Sequence, residues 1–265
     1  MMPASAVVTG GASGIGREIV RVLCADRHVV AVDLHAGALA DLVAELPDVA
    51  TICGDVRDAG VLQRAADQAT LGGPLDAWVN NAAVVRLGAL HEVDAAEIDL
   101  VVGTNLVGPL LGSQIALKTF LATGTAGSIV NISSIHARAS FPGYALYDTC
   151  KGALESLTRY VCVEYGHLGI RCNAVAPGAV LTPAGARLAD GSGDPEGAWE
   201  DTRRLSPMNR LSTAEEIARV VAFLVSDAAF SINGHVLAVD NGMAARSNTF
   251  PADPTIAFAS RETRA

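Results

Sequence analysis

The chain has 265 residues, and 50% of them are hydrophobic, which is enough apolar material to fill the core of one large domain. Its formal net charge of −9, with no basic stripe, argues against nucleic acid as a partner. The N-terminal residues show neither a signal-peptide pattern nor a long uncharged apolar run, so we expect a cytoplasmic protein without a membrane segment.

The first predicted strand runs directly into a glycine-rich turn. Residues 4–9 are apolar and β-branched, residues 9–16 contain four glycines, and a helical stretch follows over residues 17–25. A strand, a glycine turn and a helix in this order bring backbone N–H groups to a pyrophosphate at the positive end of the helix. Gly10 would permit the tight turn, Gly14 would let the phosphates approach, and Gly16 would let the helix pack closely. An ordinary glycine-rich turn is the alternative.

A second predicted strand ends in Asp33, at the distance from the glycines where an acid binds an adenosine ribose. A carboxylate there accepts hydrogen bonds from the free 2′-hydroxyl of NAD and repels the 2′-phosphate of NADP. No Arg or Lys stands nearby to bind that phosphate among Leu34, Ala36 and Gly37. We expect Arg17 to lie on the helix surface, so NAD is the predicted cofactor. The alternative is that Asp33 caps the next helix.

Further apolar strand candidates alternate with helical stretches, at residues 49–53, 75–80, 127–133, 169–175 and 235–239. Strands that alternate with helices favour one parallel sheet with helices on both faces and ligands at the carboxyl ends of the strands. We therefore predict a single-domain α/β protein with a doubly wound parallel sheet of the Rossmann type.

The chain has seventeen arginines but only two lysines, and one of these, Lys151, follows Tyr147 by four residues. Residues four apart share one face of a helix, so the phenol and the ammonium would lie together. A nearby cation lowers the pKa of a phenol from about 10 toward the range in which general acids and bases work. The spacing is typical of a catalytic pair, although by itself it also fits a chance pair on an amphipathic helix.

With the glycine turn and this pair, the chain resembles the classical short-chain dehydrogenase/reductase family over residues 4–243. Further motifs of the family occur in the same order, namely Asp55-Val56, Asn80-Asn81-Ala82-Ala83, Asn105, Ser133-Ser134 and Asn173-Ala174-Val175-Ala176-Pro177-Gly178. Ala83 departs from the glycine that the family has at that position. The resemblance implies an oxidoreductase that transfers a hydride between NAD(H) and a secondary alcohol or ketone.

The resemblance also implies a catalytic site of four residues. Tyr147 would exchange a proton with the substrate oxygen, and Ser134, thirteen residues earlier, would hydrogen-bond the same oxygen. Ser133 would face away from the site. Lys151 would hold the ribose and favour ionisation of Tyr147, and Asn105 would support a water that links Lys151 to solvent. On their own, Ser134 also fits a strand-end hydroxyl and Asn105 a polar residue at a helix distortion.

The same resemblance gives the residues expected to contact NAD. Asp33 would bind the ribose, Asp55 would approach the adenine, and Thr182 would contact the nicotinamide amide. The expected set is Gly10, Ser13, Gly14, Ile15, Gly16, Asp33, Leu34, Asp55, Val56, Asn81, Ala82, Tyr147, Lys151, Pro177, Gly178, Val180 and Thr182.

Two regions are expected to determine the substrate. In the family, residues 179–210 form a mobile lid, in which Trp199 either closes over an apolar substrate or packs on the body. His136 and Arg86 would contact a polar or anionic substrate, or they are solvated or bonded to the backbone. The tail at residues 244–265 extends past the family core, and we expect it to be disordered or to cross to another subunit.

The cysteines are five in number and lack the spacing of metal ligands, so we predict core thiols and no metal site: Cys24, Cys53, Cys150, Cys162 and Cys172. Cys150 is the candidate for a reactive thiol because it adjoins Lys151.

Two alternatives to an NAD-dependent alcohol dehydrogenase or ketone reductase stay open. One is a nucleotide-binding regulatory protein without turnover, which the retention of Ser134, Tyr147 and Lys151 disfavours. The other is a redox-neutral epimerase or lyase that keeps its NAD bound.

Two predicted helices, at residues 94–120 and 147–166, carry more apolar residues than contact with the sheet requires. In the family these helices pack against symmetry mates, so we expect a homotetramer with two-fold axes. The alternative is that the apolar residues only cover the sheet within one subunit. The residues are Leu100, Val101, Leu106, Leu110, Leu111, Ile115, Leu117, Ala153, Leu154, Leu157, Val161 and Val163.

Overall fold

The structure, a computed structural model, describes residues 3–245. Its strands are β1 (Ala4–Thr9), β2 (Arg27–Asp33), β3 (Ala50–Cys53), β4 (Leu75–Asn80), β5 (Ser128–Ile132), β6 (Arg171–Pro177), β7 (Val180–Leu181), β8 (Ser212–Thr213) and β9 (Val236–Val239). Its α-helices are α1 (Gly14–Leu23), α2 (Ala36–Glu45), α3 (Ala59–Gly72), α4 (Ala95–Val102), α5 (Gly108–Thr123), α6 (Ala145–Tyr165), α7 (Pro183–Asp190), α8 (Pro195–Leu205) and α9 (Ala214–Val225). From residue 246 onward, the predicted tail lies outside the described residues.

Seven strands form one parallel sheet in the order β3-β2-β1-β4-β5-β6-β9. The predicted doubly wound parallel sheet is confirmed. Strand β1 lies between β2 and β4, so the chain leaves the centre of the sheet first in one direction and then in the other. This switch point opens a crevice at the carboxyl ends of β1 and β4, which is where ligands bind in such folds.

Successive side chains of the central strands pack into two separate cores, one on each face of the sheet. On one face, Ala6 and Val8 pack with α1, α2 and α9. On the other face, Val7 packs with α3, α5 and α6, in a core that includes Trp78 and Phe120. These two aromatic side chains are fully buried, and each stabilises the fold by about 2–3 kcal/mol through burial alone. Both faces are therefore covered, as a parallel sheet requires.

A π-helical segment, Gly103–Val107, joins α4 to α5 into one long helical element. This element, Ala95–Thr123, is apolar and long enough to cross a membrane by length and composition. Half of its most apolar window is buried inside the protein, as in the core helices of soluble proteins, so the finding is weak evidence for a membrane segment.

Candidate active site

Glycines shape the turn between β1 and α1. Gly10 and Gly14 have φ angles of 64° and 54°, a backbone conformation that residues with a Cβ atom rarely adopt. A Cβ atom at Gly16 would lie 1.9 Å from the carbonyl oxygen of Gly10, so only glycine lets α1 begin this close to the turn. The first turn of α1 therefore packs directly against the backbone of the glycine turn.

We expect Gly16→Ala to destabilise the protein by about 3 kcal/mol, because the new methyl group has to displace backbone. Gly37→Ala is the matched control. A Cβ atom at Gly37 would meet nothing within 4 Å, and the residue lies in α2, so alanine should raise stability by about 0.5–1 kcal/mol. Thermal unfolding of the two variants measures the contrast, and equal stability of both would contradict this account of the turn.

The N-terminus of α1 has no side-chain cap. Five of the other described helices are capped by carboxylate or hydroxyl oxygens that accept first-turn N–H groups, namely those of Asp58, Asp94, Thr182, Asp194 and Thr213, whereas α2 and α6 also lack a side-chain cap. Ser13, at the N-cap of α1, is exposed and makes no such bond, and Ile15 packs partly into the core. The first N–H groups of α1 are therefore left for a ligand with negative charge.

Asp33 connects the end of β2 to the glycine turn. One carboxylate oxygen accepts the Ala12 N–H at 3.1 Å, and the other accepts the His35 N–H at 3.1 Å. The alternative role, a cap for α2, is not observed, because His35 is the residue before that helix and no side chain caps its first turn. Arg17 lies on the helix surface as expected, where it binds Glu45 at 2.5 Å.

The residues expected around the adenine lie at the ends of β2 and β3. Leu34 is exposed, and Val56 is buried next to Gly108 of α5. Asp55 accepts hydrogen bonds from the backbone and guanidinium of Arg57 at 2.9 and 2.6 Å. The hydrogen bond from the Arg57 side chain lowers the pKa of Asp55, so the carboxylate stays ionised over the physiological range.

Asn81 and Thr9 tie the loop after β4 to the glycine turn. The amide of Asn81 donates to the carbonyl oxygens of Thr9 and Gly10, at 2.9 and 3.0 Å. In return, the Thr9 hydroxyl accepts the backbone N–H groups of Asn81 and Ala82, at 3.0 and 3.2 Å. Sequence reasoning did not predict the role of Thr9, although the residue stands at the start of the glycine motif.

Ser134, Tyr147 and Lys151 lie together at the carboxyl end of β5 and in the first turns of α6. Ser134 lies beside the Tyr147 phenol and acts to lower its pKa, and the Ser134 hydroxyl accepts the His136 N–H at 3.2 Å. Lys151 is almost fully buried; its ammonium donates to the Ile132 carbonyl oxygen at 2.6 Å and lies 5.3 Å from the centre of the Tyr147 ring. The neighbouring Ser133 hydroxyl points elsewhere and donates to the Lys151 carbonyl oxygen at 3.4 Å.

The predicted effect of Lys151 on Tyr147 is wrong for the protein by itself. Burial raises the pKa of Tyr147 to about 12, and the neighbouring Ser134 opposes this rise only in part. Burial also lowers the pKa of Lys151 to about 8. Both shifts have the same cause, because removal from water penalises the charged form of each group. The phenol is therefore protonated at neutral pH.

Asn105 lies in the π-helical segment and is buried. Its side-chain amide accepts the Val84 N–H at 2.8 Å and donates to the Val84 carbonyl oxygen at 2.7 Å. Asn105 therefore lies in a distorted part of the helix, and its side chain fixes the loop after β4 beside the site.

The segment after β6 continues over the glycine turn. Gly178 packs against Asp240 and Met243, and Val180 belongs to the short β7–β8 pair. Thr182 lies over Gly14, since a Cβ atom at Gly14 would be 3.5 Å from the Thr182 side chain. Trp199 of α8 contacts α7, where a Cβ atom at Gly185 would lie 3.0 Å from the indole ring. Trp199 thus packs against another helix of the expected lid.

Three expectations for residues near the pocket have different outcomes. Arg86 is exposed and donates to the neighbouring Val85 carbonyl oxygen at 2.9 Å. The suggestion of a reactive Cys150 is wrong, because the thiol is buried and burial raises its pKa. Cys53 is the exposed cysteine among the described residues. His136 pairs with Asp148, a contact that sequence reasoning missed.

Comparisons with known proteins identify the family of the chain. A family model described as enoyl-(acyl carrier protein) reductase matches residues 10–244. L-xylulose reductase of Bos taurus is 37% identical over 248 residues, which cover 91% of this chain and 96% of that protein. 2-(R)-hydroxypropyl-CoM dehydrogenase of Xanthobacter autotrophicus is 37% identical over 251 residues, covering 91% of this chain and 98% of that protein.

Carbonyl reductase 2 of Sus scrofa, whose name specifies NADPH, is 36% identical over 240 residues, with 89% of this chain and 95% of that protein covered. A solved structure from Agrobacterium tumefaciens, provisionally described as a gluconate dehydrogenase, superimposes with a TM-score of 0.84. It is 27% identical in sequence, and the match covers 92% of this chain and 96% of that one. The chain therefore belongs to the short-chain dehydrogenase/reductase family of oxidoreductases.

Proposed function

We propose that the protein is an NAD-dependent oxidoreductase that interconverts a secondary alcohol and the corresponding ketone. The observation that carries the proposal is the grouping of Tyr147, Ser134 and the Lys151 ammonium at the ligand-binding edge of the sheet. Two hydroxyl groups that lie together can both bind one substrate oxygen. The names of the relatives, which are reductases and dehydrogenases, support this chemistry.

In ketone reduction, the neutral phenol of Tyr147 donates its proton to the carbonyl oxygen as the carbonyl carbon receives a hydride. Ser134 holds that oxygen in place through a hydrogen bond. In alcohol oxidation, the proton moves from the hydroxyl group to ionised Tyr147, and the hydride leaves the carbinol carbon. Because burial raises the pKa of Tyr147 to about 12, the protein by itself is poised at neutral pH to donate a proton.

The residues present fit a dinucleotide. The glycine turn, with positive φ at Gly10 and Gly14, and the uncapped N-terminus of α1 suit a pyrophosphate. Asp33 and Leu34 would hold the ribose, with Asp55 and Val56 at the adenine. When bound, the cofactor supplies or accepts the hydride. The nicotinamide half would contact the remaining expected residues, namely Asn81, Ala82, Tyr147, Lys151, Pro177, Gly178, Val180 and Thr182.

The proposed choice of NAD over NADP rests on Asp33. Its carboxylate stands at the end of β2, and the side chain of Arg17 is engaged by Glu45. A 2′-phosphate would meet a negative charge there without a neighbouring Arg or Lys to offset it.

A substrate panel tests the proposed function. Cyclic, aromatic and polyol alcohols, and the corresponding ketones, would be offered with NAD or NADH while NADH absorbance is followed. We expect free NADH to form in proportion to ketone. Product formation without any change in NADH would favour a redox-neutral epimerase or lyase, and NAD binding without turnover of the panel would favour a regulatory protein.

We further propose a homotetramer, on the evidence of exposed apolar side chains on α4, α5, α6 and the π-helical segment. These are Ile98, Val107, Leu110, Leu121, Tyr160 and Val163. Several residues expected at the interface are instead buried within the subunit: Val101, Ile115, Leu117, Leu154 and Val161. Leu110 and Val163 remain exposed, so they would need a second partner.

Light scattering on dilute protein tests the assembly. We expect a mass of four times the 27.2 kDa of one chain. Val163→Arg, which places a charge on a side chain that is 82% exposed on α6, should lower the mass. Leu71→Arg is the control, since Leu71 is similarly exposed but lies on α3. A stable monomer with full activity would rule the tetramer out.

A further inference from the structure

The imidazole of His136 is held in an aromatic cluster beside Tyr147. The ring stacks on Phe141, with the centroids 4.3 Å apart, and lies 4.6 Å from the ring of Tyr144. It meets Tyr147 edge-on, with the centroids 5.4 Å apart. The side chain is 17% exposed, so it is fixed on most sides and open on the remainder. The imidazole therefore forms part of the wall next to the phenol that we propose as acid and base.

Asp148, the residue after Tyr147, determines which ring nitrogen of His136 carries a proton. One oxygen of its carboxylate lies 2.6 Å from Nδ1, and the other accepts the Phe141 N–H at 3.1 Å. An ionised carboxylate only accepts hydrogen bonds, so Nδ1 is the donor. In a neutral imidazole, Nε2 then has a free lone pair. Within residues 3–245, Nε2 has no hydrogen-bond partner.

The charge state of His136 follows from its surroundings. Burial lowers its pKa below the ordinary value of 6.5, and the Lys151 ammonium acts in the same direction. The Asp148 carboxylate opposes this shift only in part. The other two groups that face the ring, Tyr144 and Tyr147, have raised pKa values and are uncharged at neutral pH. His136 is therefore neutral at neutral pH and offers an acceptor at Nε2.

We propose that Nε2 of His136 accepts a hydrogen bond from a hydroxyl group on the carbon next to the reacting carbon, so that vicinal diols and α-hydroxy ketones are the preferred substrates. This inference rests on the proposed function, because Tyr147 has to bind the reacting oxygen. Two oxygens on adjacent carbons lie side by side, as the imidazole and the phenol do. A substrate without the second hydroxyl would bury Nε2 unpaired, which costs binding free energy in the transition state.

The test compares matched ketones that differ by one hydroxyl group: 2-hydroxycyclohexanone with cyclohexanone, and acetoin with 2-butanone. For each, kcat/KM with NADH would be measured for the wild type, His136→Phe and His136→Gln. Phenylalanine keeps the stacking on Phe141 but has no acceptor, whereas glutamine keeps an acceptor oxygen. The wild type should prefer the hydroxy ketone of each pair by about tenfold or more. His136→Phe should lower that preference by about tenfold, and His136→Gln should retain part of it.

An unchanged preference in His136→Phe, or an equal loss with both ketones of a pair, would overturn the role of His136. Glutamine and phenylalanine having the same effect would also overturn it, because only glutamine can accept the hydrogen bond. The proposed function fails in a different way: the wild type would then reduce neither ketone of any pair, and this inference would fall with it. Melting temperatures of both variants establish that the comparison is made on folded protein.

Discussion

Replacing Tyr147 by phenylalanine is expected to lower kcat by about 10²–10⁴-fold, the contribution of a positioned acid or base. The substitution removes one hydroxyl group and leaves the ring contact with His136 in place. NAD affinity, measured by fluorescence titration, should therefore change by no more than about twofold. Activity above about a tenth of the wild-type value would be incompatible with the role of Tyr147.

Tyr160→Phe is the matched control, because Tyr160 is on the same helix but is 58% exposed. It should leave turnover near the wild-type value. Lys151→Arg is a second variant that should lose activity, for a different physical reason. Arginine keeps the positive charge, but its larger planar group cannot replace a buried ammonium that donates to Ile132 at 2.6 Å. We expect a severe loss of activity with this variant as well.

The second large effect concerns the cofactor. The wild type should prefer NAD over NADP by about a hundredfold in kcat/KM, which corresponds to about 2.7 kcal/mol. Removing the carboxylate of Asp33 should remove most of this preference. Asp33→Asn is the sharpest variant, since it removes the charge but keeps an oxygen that can accept the Ala12 N–H. Asp33→Ala removes both.

Comparing the two variants separates charge from structure. If Asn and Ala both abolish the preference and Asn keeps the wild-type melting temperature, the charge is responsible. A melting temperature lowered only in Asp33→Ala would report the lost bonds to Ala12 and His35. Equal use of NAD and NADP by the wild type would show that Asp33 does not act on the ribose.

The sheet could be predicted because its signals are local in sequence. Each strand is a short apolar run. Glycine is required in the turn after β1 because φ is positive at Gly10 and Gly14. The spacing of Tyr147 and Lys151 likewise follows from one helix. Ser134 could be predicted only through the resemblance to a family, because its proximity to Tyr147 depends on how a loop of twelve residues closes.

The failures share a physical cause, which is burial by residues distant in sequence. The pKa of Tyr147 rises because the folded chain removes the phenol from water, and sequence spacing does not report that loss. The expectation of a reactive Cys150 fails for the same reason, since burial raises the pKa of its thiol although Lys151 is next to it. The sequence gives one signal for the pairing of His136 with Asp148, which is that a histidine and an acid flank the site. Their spacing does not identify them as a pair.

The central claim is that a hydride passes between the substrate carbon and NAD, which then leaves as free NADH. The most direct measurement uses an alcohol, found in the substrate panel, that carries deuterium on its carbinol carbon. We predict one deuterium at C4 of the released nicotinamide for each ketone formed, measured by mass spectrometry, and none with Tyr147→Phe. Deuterium retained in the product, with no free NADH, would contradict the account.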